Sequence, residues 1–255
     1  MMGSKAFESP LISHARMRAM YRALVEARVL GRGRVWPRGL EACWVGTAID
    51  LKDGDLVSAG AGRWLVDHVR RLGARESAKA ATSGEVARAL TQLAQEKTES
   101  TQVLGFDRML CAVGMAMAVK PQGVVVAYVG SDELTGAEWK RLLAAAAVGN
   151  LPLAIVTVPR LKSNAAVDVS VVAKRMGAAI PIIPVDAGDA VANYRVTQET
   201  LVRARSDGGV AVIECVDCGV DPVKLMGMQL VKKQICTERW VAGVEVSFRA
   251  KLPKR

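Results

Sequence analysis

From Val124 onward the chain alternates short, nearly unbroken apolar runs with longer stretches of helical periodicity. Val124–Val129, Leu153–Val158, Ala179–Val185 and Val210–Val216 are rich in β-branched residues, the pattern of strands buried on both sides. Between them, Gly136–Val148, Val169–Met176 and Asp189–Arg205 predict helices. Strands joined by helices must pair in parallel, because a parallel pair needs a crossover connection.

The first half reads differently. Ser13 caps a predicted helix to Leu30, with Met17, Met20, Tyr21, Leu24 and Val25 at helical spacing. A second helix is predicted from Leu40 to Ile49, closed by the turn Asp53-Gly54-Asp55. A glycine-rich segment, Ala59–Arg63, and a basic stretch, Val66–Arg75, precede a helix over Ser83–Glu96 and a polar linker over Lys97–Gln102. The tail, Leu225–Leu252, is basic and helical in pattern. The prediction is one α/β domain over residues 1–255: a mostly parallel sheet covered by helices on both faces, with helical extensions at about 1–120 and about 223–255.

Composition narrows the class. The 255 residues are 51% hydrophobic and 24% charged, which excludes a disordered chain. The longest apolar stretch, Met109–Val119, is about half of a bilayer-spanning helix, so no membrane insertion is expected. Five scattered cysteines, an odd number, suit a reducing compartment, and a cytoplasmic location is expected. The close pair Cys215 and Cys218 lacks the further ligands of a zinc site, and Cys215 ends a strand rather than starting a redox-type helix. The formal charge of +10 is spread along the chain, and only 4% of residues are aromatic. No nucleic-acid-binding motif is visible, so nucleic acid is not an expected partner.

In parallel sheets ligands sit beyond the carboxyl ends of the strands, where helix N-termini attract anions. Two turns qualify, Gly130-Ser-Asp-Glu-Leu-Thr-Gly136 and Asp186-Ala-Gly-Asp189.

A collinear series carries a resemblance. It comprises Met20-Tyr-Arg-Ala-Leu-Val-Glu-Ala-Arg28, Gly39-Leu-Glu-Ala42, Leu51-Lys-Asp-Gly-Asp55 and Ala112-Val-Gly-Met-Ala-Met-Ala118. It continues with Val126-Ala-Tyr-Val-Gly130, Ala145-Ala-Ala-Val-Gly-Asn-Leu-Pro152, Val185-Asp-Ala-Gly-Asp189, Arg203-Ala-Arg205 and Val212-Ile-Glu214. In this order the pieces resemble the alpha subunit of the thiamine-diphosphate-dependent, decarboxylating first component of the 2-oxo acid dehydrogenase complexes, pyruvate and branched-chain types. The resemblance implies the thiamine-diphosphate-binding fold. It also implies a homodimer, or a hetero-oligomer with a beta-subunit-like chain that supplies the glutamate activating the thiamine ring.

The departures fall where that family does its chemistry. Its Gly-Asp-Gly motif and a later Asn supply oxygen ligands to magnesium, which grips the cofactor diphosphate. Here the motif falls on Gly130, Ser131 and Asp132, and the Asn on Pro159. A Tyr-Arg pair and a nearby His fall on Ala61, Gly62 and Trp64, with Arg63 adjacent. The His-bearing loop after the last strand is replaced by Cys218-Gly-Val-Asp-Pro222, and no histidine follows Asp217. Lost charge-assisted contacts are worth about 1.5–3 kcal/mol each. The resemblance therefore implies a degenerate member with no catalytic residues of its own and no tightly bound thiamine diphosphate or magnesium. Gly130, Ser131 and Asp132 are vestigial cofactor-site candidates, and Asp132 is the one candidate metal ligand. The alternatives are an active thiamine-diphosphate enzyme relying on Asp132, Arg63 and backbone carbonyls, and a basic polyanion-binding protein. An indole at Trp64 is expected to fill the pocket of the missing imidazole.

Overall fold

A computed structural model describes residues 12–31, 39–60, 62–74, 82–98, 105–119, 123–159, 167–177 and 179–252. The elements are α1 (His14–Leu30), α2 (Glu41–Ala48), β1 (Leu56–Ser58), α3 (Arg63–Gly73), α4 (Ser83–Thr98), α5 (Gly105–Ala118), β2 (Val125–Gly130) and α6 (Gly136–Ala146). There follow β3 (Leu153–Val158), α7 (Val169–Met176), β4 (Ile182–Asp186), α8 (Ala190–Ser206), β5 (Val210–Val216), α9 (Pro222–Lys232) and α10 (Glu238–Arg249). The protein is α/β: five strands form one sheet in the order β1-β2-β3-β5-β4, every pair parallel.

The near-continuous apolar runs are explained by burial on both faces. Alternate residues Val126, Tyr128, Ala154, Val156, Ile213 and Cys215 join one core, and Val125, Ala127, Val129, Ile155 and Val212 join a second core on the opposite face. Helices α5, α6 and α7 close the second core, anchored by Met109, Trp139 and Val169. The first core is thicker, with α1, α2, α3, α8, α9 and α10 all contributing buried residues. Among the described residues no helix is long and apolar enough to cross a membrane.

The helix boundaries have local causes. Ser13 accepts a hydrogen bond from the Arg16 N–H and starts α1, as expected from the sequence. Thr135 and Glu138 make a reciprocal capping box at the start of α6. Asp221 caps α9 with Pro222 in its first turn. The basic tail is two helices rather than one, because the chain turns through Gln234 with a positive φ of 56° before Thr237 caps α10.

Ion pairs tie the helical layer together. Arg28 on α1 meets Glu41 of α2 through its Nε at 2.9 Å and Asp221 at the start of α9 at 2.9 Å. Asp55 receives the Val124 N–H and pairs with Arg205 at the end of α8. That carboxylate ties together the amino ends of β1 and β2.

Connections after β2 and β3 lead to α6 and α7 on one face, whereas those after β4 and β5 lead to α8 and α9 on the other. Adjacent strands β3 and β5 therefore send their loops apart, the arrangement that opens a crevice in sheets of this kind.

Candidate functional site

Register carries the sequence-predicted residues to one place. Gly130 pairs with Val158, and the Ser131 N–H donates to the Val158 carbonyl, so Ser131 and Pro159 leave neighbouring strand ends side by side. Asp132 is half-buried in the same turn. The two strand ends to which the sequence resemblance assigns metal oxygens thus meet. The groups they bring are a serine hydroxyl and a proline ring, neither of them the carboxylate or amide oxygen that the resemblance assigns there, and the Asp132 carboxylate lies in the same turn. Among the described residues, no group of three or more His, Cys, Asp or Glu side chains is arranged to hold a metal.

The turn after Gly130 is closed by its own glutamate. The Glu133 N–H donates to the Gly130 carbonyl at 3.0 Å, and the Gly130 N–H donates to Glu133 Oε2 at 2.8 Å. Glu133 Oε1 pairs with Arg108, whose other guanidinium arm donates to the Tyr128 carbonyl. Arg108 was not singled out by sequence reasoning. The signal was there, since it is the one cation in the segment Gly105–Val119, whose only other charge is Asp107. It sits where α5 passes the ends of β1 and β2, and the Ser58 hydroxyl donates to its carbonyl at 3.5 Å.

Arg63 is elsewhere. Its guanidinium donates to the Val57 carbonyl at 3.0 Å and lies 3.7 Å from Asp67, one turn along the same helix. It braces β1. Gly62 stands at the N-cap of α3 with φ 123°, a conformation that favours glycine over an arginine at that position. Ala61 lies outside the described residues. Trp64 is 1% exposed and belongs to the apolar core against the sheet, so the indole fills its site.

The second predicted anion turn, Asp186–Asp189, spends its N–H groups internally. The Ala187 N–H donates to the Val216 carbonyl, Gly188 to the Asp186 carboxylate, and Asp189 to the Asp186 carbonyl. Asn193, fully buried, donates to the Asp186 and Asp189 carbonyls at 2.8 Å each and accepts from the Cys215 thiol at 3.3 Å. The Cys43 thiol reaches the Ala187 carbonyl. This turn is a structural lock. Burial, then contact with the Cys215 thiol, pushes the Cys43 thiol well above the ordinary cysteine range. Cys218 is exposed three residues beyond Cys215, so the two thiols point to different environments.

At the crevice, Glu214 on β5 stands opposite Thr157 on β3 and Pro184 on β4. Burial, followed by the charge of Asp168, pushes its carboxyl above the ordinary glutamate range, against the Val169 N–H that it accepts. The folded protein therefore holds its proton more tightly than the unfolded chain does. Stability falls as pH rises from the unfolded toward the folded pKa, and the loss is complete above the folded value. Glu214→Gln is expected to raise the melting temperature at neutral pH and to give no gain below the ordinary carboxylate range. A pH series of thermal melts checks this, and a neutral-pH loss in the variant would overturn it.

A cavity of about 170 Å³ lies between α1 and α10, lined by Arg22, Glu26, Trp240, Val244, Ser247 and Phe248, away from the strand ends. No protein-family model matches the sequence, and no curated protein matches it.

Proposed function

We propose that this chain is a non-catalytic relative of the alpha subunit of thiamine-diphosphate-dependent 2-oxo acid dehydrogenases, serving as a structural subunit on a thiamine-diphosphate-type fold. The observation that carries this reading is the meeting of Ser131 and Pro159 at the ends of β2 and β3. The collinear sequence series puts the family's two metal ligands at these positions, and neither side chain offers a carboxylate or amide oxygen. The buried Trp64 supports it further, because an indole packed into the core does not transfer protons as an imidazole would.

A structural subunit needs a contact surface. Helices α5 and α6 pack side by side and expose Leu110, Met117 and, just past α6, Val148, which is 65% exposed. A homodimer or a beta-like partner chain is the assembly this reading implies. The test is calorimetry of the full chain with thiamine diphosphate plus magnesium, alongside the solution mass. The expected result is no saturable heat and an oligomeric mass. Saturable micromolar binding would replace the reading with that of an active enzyme using other ligands.

A further inference from the structure

Arg22 and Glu26 of α1 both line the cavity of about 170 Å³ against α10, opposite charges one helical turn apart. At that spacing their Cβ atoms stand about 5–6 Å from each other, within reach of a single amino acid head group. The Glu26 side chain is 1% exposed, with His68 Nε2 2.9 Å from its Oε2. A carboxylate has about four lone-pair sites, so a further donor adds to the contacts that hold it. The Arg22 guanidinium lies over the Trp240 ring, 5.3 Å from the centroid, and among the described residues it makes no hydrogen bond or ion pair. Stacking engages its face and leaves the N–H fork to an anion. Burial holds its pKa below the ordinary arginine range despite the nearby Glu26 charge, so a further anion is favoured beside it. Across the cavity Val244 and Phe248 are buried, and Ser247 is exposed. The space is also kept clear. Gly243 lines it from the middle of α10, where glycine is less stable than alanine. Close packing does not require that glycine, because among the described residues no atom of another element lies within 4 Å of where its Cβ would be. Gly227 on α9 is the contrast, since a Cβ there would stand 3.2 Å from Val241 and 3.4 Å from Tyr21.

We propose that this cavity binds a free α-amino acid with an apolar side chain, its ammonium on Glu26, its carboxylate on Arg22 and its side chain against Val244, Phe248 and Trp240. A few placed polar groups among apolar walls are the composition of a small-molecule site. The pair of opposite charges selects a zwitterion over a simple acid or a simple amine, each of which leaves one charge of the pair unanswered. The volume suits an apolar side chain, since a cavity of about 150 Å³ takes a benzene-sized group. The site lies away from the strand ends and is independent of the family resemblance.

The test is calorimetric titration of the full chain with L-phenylalanine, 3-phenylpropionate and phenethylamine. The amino acid is expected to bind saturably. The acid and the amine each lack one of its charges and are expected to bind about tenfold or more weakly. Gly243→Leu fills the cavity and Arg22→Gln removes the guanidinium, and each is expected to weaken phenylalanine binding by a similar factor. Thermal melts establish that the variants are folded, and where one is not, the other carries the comparison. The absence of saturable heat with phenylalanine would overturn the proposal, as would an acid or amine that binds as tightly, or folded variants that bind like wild type. Thiamine diphosphate enters none of these titrations, so the proposed function and this site fail separately.

Discussion

Arg28→Ala is expected to lower the unfolding free energy by about 3–5 kcal/mol in urea titrations at neutral pH, the cost typical of removing one partner from a buried ion pair. The guanidinium holds two carboxylates at once. It grips Glu41 through Nε at 2.9 Å and Nη2 at 3.2 Å, and Asp221 through Nη1 at 2.9 and 3.0 Å. The Glu41 side chain is 2% exposed, so without the arginine its charge has no solvent to turn to, only the Gly39 N–H. Three helices converge on this point, and α9 also depends on Asp221 as its cap. Adding Glu41→Gln and Asp221→Asn to the arginine variant should restore part of the loss, because both amides keep their acceptor oxygens while the stranded charges disappear. A loss under about 1 kcal/mol would mean that the cluster behaves like an exposed salt bridge.

Trp64→Ala is expected to cost a similar amount, about 3–5 kcal/mol, through lost contacts and the cavity left behind. For a chain of this length that corresponds to a melting temperature lowered by roughly 6–20 °C. The indole is among the largest fully buried side chains and sits on α3 beside Leu65, Val66, Val69 and Leu72, all in the same core. Trp64→His, which puts an imidazole where the proposed resemblance places a histidine, is expected to lose stability too, since a smaller polar ring replaces packed surface. On the proposed function it should gain no affinity for thiamine diphosphate, because Ser131 and Pro159, where the resemblance places the metal ligands, are unchanged. Differential scanning fluorimetry of the two variants decides the point, and a Trp64→His protein as stable as wild type would show that the site has room for catalytic furniture.

How far the sequence could be read depended on what each element rests on. Strands β2, β3 and β5 were legible because both their faces are buried and their apolar runs are unbroken. Helices α1, α6 and α8 were legible from periodicity and caps within a few residues of the observed bounds. Strand β1 was not, because three residues carry no period and Leu56–Ser58 is a strand only through its pairing with β2. The stretch around Arg70 and Arg71 reads as charge, yet Trp64, Leu65, Val69 and Leu72 recur on one side of it and make it α3. In the same way, Met109–Val119 drew attention for its length, while its buried positions Met109, Ala112, Val113 and Ala116 are those of a helix lying on the sheet. At the candidate site, the turn after Gly130 was visible in sequence. The closure of that turn by Arg108 was not, since the two partners are 25 positions apart and meet only when α5 lies along β2.

The short strand β1 has a consequence for how the molecule assembles. Leu56 pairs with Val125, so the edge of the sheet closes over a loop that includes α3, α4 and α5. The entropy of closing such a loop must be met before any of its few strand hydrogen bonds forms, so this edge is expected to form late in folding and to open first, with the fastest amide exchange in the sheet. Ser58 and Gly60, which border Arg108, belong to that edge. The expected order is that the central strands form before the edge that frames Arg108, so local opening of β1 is expected to loosen the candidate site first.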